Sequence, residues 1–153
     1  MKYPLTFYTD KFIKPWQAGC VKALCILIKP EYSNDEGLYQ HELTHIHQWI
    51  SLSLLPFLIG VTIGYVYEEY LYFITGFFIG ISLHPLFYKF ITSYRMYTEL
   101  EAYKVQMLYP DKSGNRLSSE NAAYRLSLQQ YDLGITFEQA KLKFNEGKYE
   151  QNW

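Results

Sequence analysis

The chain has 153 residues, enough for one domain with a core but too few for two independent ones. Its net charge of −1 argues against a nucleic-acid partner. The 16 Tyr and 10 Phe concentrate in and around an apolar middle, which makes that middle the region to explain.

Residues 1–17 mix aromatics, prolines and lysines without a clean period, and Met1 to Trp16 has no apolar stretch of the kind a secretory signal needs. Val21 to Ile28 is short, apolar and bounded by Gly19 and Pro30, which predicts a strand. Cys20 and Cys25 would face opposite sides of such a strand, so they read as two reduced thiols in a reducing compartment. Pro30 to Gly37 is turn chemistry.

Next comes His41-Glu42-Leu43-Thr44-His45. On a helix, residues four apart share a face, so His41 and His45 can grip one zinc ion. Glu42 projects beside them, placed to act as general base toward a water on that ion. Three of the chain's 4 histidines fall between His41 and His47, which makes a chance match a poor explanation. His47 lies on another face of the helix and is expected to meet solvent or support a ligand. The strand ahead of the helix is placed to hold a peptide by backbone pairing along its edge.

Two uncharged runs follow, Gln48–Tyr67 and Tyr70–Tyr88, each near the ~20 residues that a membrane-spanning helix needs. Between Leu43 and Tyr88 the only charged side chains are Glu68 and Glu69, which mark the turn. Trp49, Tyr65, Tyr67, Tyr70, Tyr72 and Tyr88 sit at the run ends, the pattern of an interfacial aromatic belt. Gly60, Gly64, Gly76 and Gly80 have the spacing that lets two helices pack closely. The expectation is a two-pass hairpin over residues 48–88, in contact with the lipid bilayer. The alternative is a soluble protein, cytoplasmic or virion-associated, whose hairpin forms a core or an oligomer interface. All 14 Lys and Arg lie outside the hairpin, so the positive-inside rule puts both termini and the metal motif in the cytoplasm.

Ile91 to Met107 reads as a helix ending before Pro110, and residues 111–153 as a C-terminal helical segment. In that segment Asp111 to Asn115 is a loop, and Ser118 or Ser119 caps a helix to about Tyr131. Thr136 and Gln139 form a capping box for a last helix to about Phe144.

Two histidines do not complete a zinc site, and the third ligand must come from elsewhere. Glu99 and Glu101 are the candidates; being two apart, they point to different sides of their helix and only one can serve. With the hairpin turn centred near Leu71, Glu99 lies level with the histidine pair. His84 falls level with about Leu58, away from the metal, as a hydrogen-bonded interior histidine. Tyr94, Tyr97, Tyr103 and Arg95 are near enough in sequence to supply an oxyanion donor or to support a ligand.

The HELTH pentapeptide is identical to that of thermolysin-like enzymes. Glu99 with Ala102 resembles the Glu-x-x-Ala-Asp motif of membrane-embedded zinc peptidases of the HtpX and CAAX-prenyl-protease type, with Tyr103 where that motif has Asp. The layout also resembles small metallopeptidase-like proteins of phages and bacteria, in which an apolar hairpin separates HExxH from Glu-x-Glu-Ala-Tyr. The two motifs cover barely ten residues; the architecture covers about two thirds of the chain. The resemblance implies a single gluzincin-type, zincin-like domain over residues 1–153, mainly α with a minimal α+β core. That fold would comprise a short edge strand before the active helix, the apolar hairpin and C-terminal helices. It further implies zinc bound by His41, His45 and Glu99, and hydrolysis of a peptide or protein substrate. A non-catalytic membrane or phage accessory protein with a structural zinc is the competing expectation.

Overall fold

A computed structural model gives the fold and describes residues 4–149, with side chains to residue 145. Residues 1–3 and 150–153, which the single-domain reading includes, lie outside the described residues. The chain is mainly helical, with five helices and a three-stranded sheet: β1 Thr6–Tyr8, β2 Gly19–Lys22, β3 Cys25–Ile28, α1 Glu36–Tyr67, α2 Tyr70–Phe90, α3 Thr92–Gln106, α4 Ser119–Leu126 and α5 Phe137–Tyr149.

The sheet order is β1-β3-β2, with β1 parallel and β2 antiparallel to the central β3. The stretch read as one strand from Val21 to Ile28 is therefore the end of one strand, a turn and another strand. Ala23 and Leu24 both take positive φ, 48° and 63°, and reverse the chain in two residues. Neither is a turn-forming residue type, so the apolar run concealed the reversal. β1 lies in the stretch without a period and is only three residues long. Ile26 and Ile28 point from β3 onto α1, where they form a core with Leu38 and Ile46. β2 is an edge strand, paired on one side only.

α1 begins where the Asp35 carboxylate accepts a hydrogen bond from the Leu38 N–H, 2.8 Å away. It runs unbroken for 32 residues, so the metal motif and the first apolar run share one helix. Pro56 sits inside it, as membrane helices tolerate. Glu68 ends it in the left-handed conformation, and α2 returns alongside.

Glycines sit where the two helices approach most closely. A Cβ on Gly60 would lie 2.5 Å from the Tyr72 carbonyl oxygen and 2.8 Å from Gly76 Cα, and a Cβ on Gly80 would lie 2.5 Å from the Ser53 carbonyl oxygen. Both helices are long and apolar enough to cross a membrane. Their apolar side chains are not gathered into a core: Leu54, Leu55, Ile59, Phe78 and Ile79 are all at least half exposed.

α2 stops at Phe90, one extended residue follows at Ile91, and α3 sets off in a new direction. The long C-terminal helix expected to reach about Tyr131 is shorter. α4, capped by Ser118, ends at Leu126 and a 3-10 turn follows at Gln129–Tyr131. The capping box forms as read, with the Thr136 N–H donating to Gln139 Oε1 (2.9 Å) and the Gln139 N–H to Thr136 Oγ1 (3.3 Å). Tyr103 of α3 packs with Ala122, Ala123, Leu126, Leu133 and Phe144 in a second core.

Because the hairpin has no slack at Gly60, Gly60→Ala should force the helices apart and destabilise the protein by about 1–3 kcal/mol. Thermal unfolding in detergent would register this as a lower Tm, whereas Ile59→Ala on the exposed face should change Tm far less.

Candidate metal centre

The histidine motif occupies the second and third turns of α1, ahead of its apolar segment. His41, Glu42 and His45 are all buried, on the side of α1 that receives both the sheet and α3. Glu99 of α3, also buried, comes in from the other direction. His41 Nε2 and His45 Nε2 are 3.2 Å apart. Glu99 Oε2 lies 3.6 Å from His41 Nε2, and Glu99 Oε1 lies 3.5 Å from His45 Nε2.

Those separations decide what the group can do. A tetrahedral ion about 2.1 Å from each ligand sets its donor atoms about 3.4 Å apart. Two imidazole nitrogens and a carboxylate oxygen converge with that spacing, and Glu99 Oε2 is buried without a hydrogen-bond partner. Buried acceptors left this way are costly unless something positive sits among them. The three side chains together can hold a metal ion.

A supporting layer fixes the ligands. Gln48, one turn beyond His45, donates from Nε2 to the Thr98 carbonyl at 3.0 Å. Its Oε1 must then face His45 Nδ1, 2.9 Å away, so that nitrogen carries the proton and Nε2 keeps its lone pair for the cluster. One side chain thus ties the His45 helix to the residue preceding Glu99. The Tyr88 hydroxyl donates to Glu99 Oε1. The Tyr103 ring meets the His41 ring edge-on at 4.7 Å.

The electrostatics follow from this crowding. Burial alone would push the Glu99 carboxyl up. The fields of His45 and His41, with the Tyr88 hydrogen bond, outweigh burial and hold it at about 2. Burial pushes Glu42 up to about 7; the charge of His41 pulls against this and Glu99 adds to it.

Glu42 packs against β2 at its one glycine. A Cβ on Gly19 would sit 3.0 Å from Glu42 Oε1, so only glycine leaves the carboxylate that room. A cleft runs past this point, lined on one wall by Ala18 to Ala23 and on the other by Tyr103, Arg125 and Tyr131.

The other residues singled out in the sequence are placed as follows. Glu101 turns away and pairs with Lys104 at 2.9 Å, outside the cluster. Arg95 and Tyr103 line the cleft, but each is engaged. The Arg95 guanidinium donates to the Asp132 carbonyl (2.7 Å), and the Tyr103 hydroxyl bonds that of Tyr131. The Tyr94 hydroxyl meets His84 Nδ1 at 2.7 Å, and Tyr97 is exposed; neither is among the residues lining the cleft. His47 is exposed.

His84 corrects the hairpin arithmetic. It stacks on Trp49, with ring centroids 5.6 Å apart, and lines the cleft with His45 instead of lying level with Leu58. The turn is at Glu68–Glu69, and Gly80 meets Ser53 while Ile81 meets Trp49, so counting from a turn at Leu71 placed His84 too far along α1 from the metal cluster. Tyr88 and Tyr131 carried no signal as site residues, since only the fold brings them to Glu99 and Tyr103. Only Gln48 had a clue, its position one turn from His45 on the same helix. No family model, curated protein or solved structure matches this chain.

Gln48→Ala should leave the three ligands in place but free His45 to rotate. Metal affinity is expected to fall by about 10–100-fold, measured by competition with a chromogenic chelator.

Proposed function

We propose that the protein is a membrane-anchored zinc metallopeptidase, cutting a peptide or protein segment close to the cytoplasmic face of a membrane. His41, His45 and Glu99 are its zinc ligands and Glu42 its general base. The observation that carries this is the placement of Glu42. It is buried, its proton affinity sits near neutrality, and it lies between three converging ligand atoms and an edge strand at Gly19. A site that only stapled two helices together would have no use for an uncoordinated buried carboxylate opening onto a cleft.

A bound zinc ion would supply an acidified water and polarise the scissile carbonyl. The rest is the work of the chain. Glu42 accepts the water proton at its carboxylate and returns it to the departing amine. Gln48 and Tyr88 keep His45 and Glu99 in position through the reaction, so little reorganisation accompanies it. The unpaired edge of β2 offers backbone donors and acceptors to an extended peptide running past Glu42.

The distribution of charge supports the cytoplasmic assignment. All 14 Lys and Arg fall outside the hairpin in the sequence, and its turn carries Glu68 and Glu69. The likeness of HELTH and the Glu99 segment to membrane-embedded zinc peptidases agrees with the same reading.

Glu42→Gln separates an enzyme from a structural zinc protein. The variant should keep its metal and its Tm in detergent. It should lose hydrolysis of a quenched-fluorescence peptide library by about 10²–10⁴-fold, the range of a general-base contribution. A variant with unaltered hydrolysis, or full biological activity without it, would overturn the peptidase assignment.

A further inference from the structure

The β2–β3 turn departs from ordinary turn chemistry twice. Two-residue hairpin turns with positive φ at both positions strongly prefer Asn-Gly or Asp-Gly. Here they are Ala23 and Leu24, and an L-residue with a Cβ is strained in that region. Turn tips are also ordinarily polar, and this one carries a leucine.

Its surroundings account for both. Leu24 is half-buried, packed on one side against the core of Ile26, Ile28, Leu38 and Ile46, and its remaining surface lines an apolar groove with Ile50, Leu54 and Phe57 of α1 and Phe77 and Ile81 of α2. These belong to the two helices able to cross a membrane, and Ile50, Leu54 and Phe77 are themselves exposed. The tip thus reaches down the hairpin to the level of its first apolar turns. Leu5 stands at the same end of the sheet: its carbonyl accepts from the Ile26 N–H, and its side chain is 44% exposed. The opposite end is polar, with Thr9 and Lys29 in the corresponding positions. Exposed Lys22 directly precedes the tip. An apolar tip with a lysine at its shoulder is the chemistry of a membrane–water boundary, not of a turn in water.

We propose that the β2–β3 turn is a third membrane contact, with Leu24 and Leu5 bedded among lipid acyl chains beside the hairpin and Lys22 among anionic headgroups. The proposal rests on the reading of the hairpin as membrane-spanning. It gives the strained turn a use, and it stands β2 upright on the bilayer. From Lys22 at the turn to Gly19 the strand rises roughly 10 Å, at about 3.3 Å per residue. A peptide lying along the free edge of β2 would therefore reach Glu42 only a short way above the lipid, which suits substrates whose chain continues into the membrane.

Tryptophan emission from full-length protein in vesicles tests this. The vesicles contain phosphatidylcholine and phosphatidylglycerol with or without brominated acyl chains, and the background is Trp16→Phe with Trp153→Phe. Leu24→Trp, Leu5→Trp, Phe78→Trp and Lys112→Trp each add one fluorophore to that background. The emission added at positions 24 and 5 should be lost in brominated vesicles, as should that at 78 on the outer face of α2, while that at 112 is kept. Retention at both 24 and 5 with loss at 78 would overturn the proposal and leave the hairpin reading standing. Retention at 78 as well would overturn the hairpin reading and the proposal together. If Leu24→Trp does not fold, judged by its metal content, Leu5→Trp decides the matter alone.

Discussion

Three buried ligand atoms from two distant stretches of chain must converge at one point, and the rest of this fold can be read as the means of bringing them there. A buried carboxylate beside two buried imidazoles is not self-supporting, because burial penalises the charged form of each. Glu99 is held by both histidines and by the Tyr88 hydroxyl, and still has one oxygen without a hydrogen-bond partner. A cation at its centre would satisfy that oxygen.

The means of convergence is the hairpin. His45 and Glu99 lie on helices that do not follow one another; α2 intervenes, and its path sets where α3 begins. Glycines at positions 60, 76 and 80 let α1 and α2 touch backbone to backbone, which leaves no freedom in their register. The break at Ile91 then redirects the chain, so that α3 crosses beside the histidine motif and Gln48 can bridge the two. The same hairpin presents an apolar exterior, so the element that assembles the ligands is also the one suited to lipid. The metal cluster and the two long apolar helices are consequently not separable modules in this chain.

Much of this was legible in the sequence where one period or one motif dominated. The histidine pair needed only helical spacing, the spans needed only length and lack of charge, and the Thr136–Gln139 box needed only two residue types three apart. Counting through the hairpin narrowed the third ligand to Glu99 or Glu101, which both fall level with the histidine pair; the likeness to Glu-x-x-Ala-Asp favoured Glu99, and the fold, with Glu101 paired to Lys104, places Glu99 in the cluster. What stayed hidden depended on tertiary contact. A turn made of Ala23 and Leu24 has no turn residues to announce it. The roles of Gln48 and Tyr88 exist only because Thr98 and Glu99 arrive beside them. Tyr94 and Tyr103 looked equally able to serve the site, but one is spent on His84 and the other on Tyr131 and a hydrophobic core.

Everything in this fold's chemistry depends on the three ligands acting as one centre. Metal stoichiometry by inductively coupled plasma mass spectrometry, on protein purified without chelators, addresses that most directly, comparing wild type with Glu99→Ala and Glu101→Ala. The account predicts about one zinc per chain in wild type and in Glu101→Ala, and a sharp loss in Glu99→Ala. Metal-free wild type, or zinc that survives in Glu99→Ala and leaves with Glu101→Ala, would contradict it.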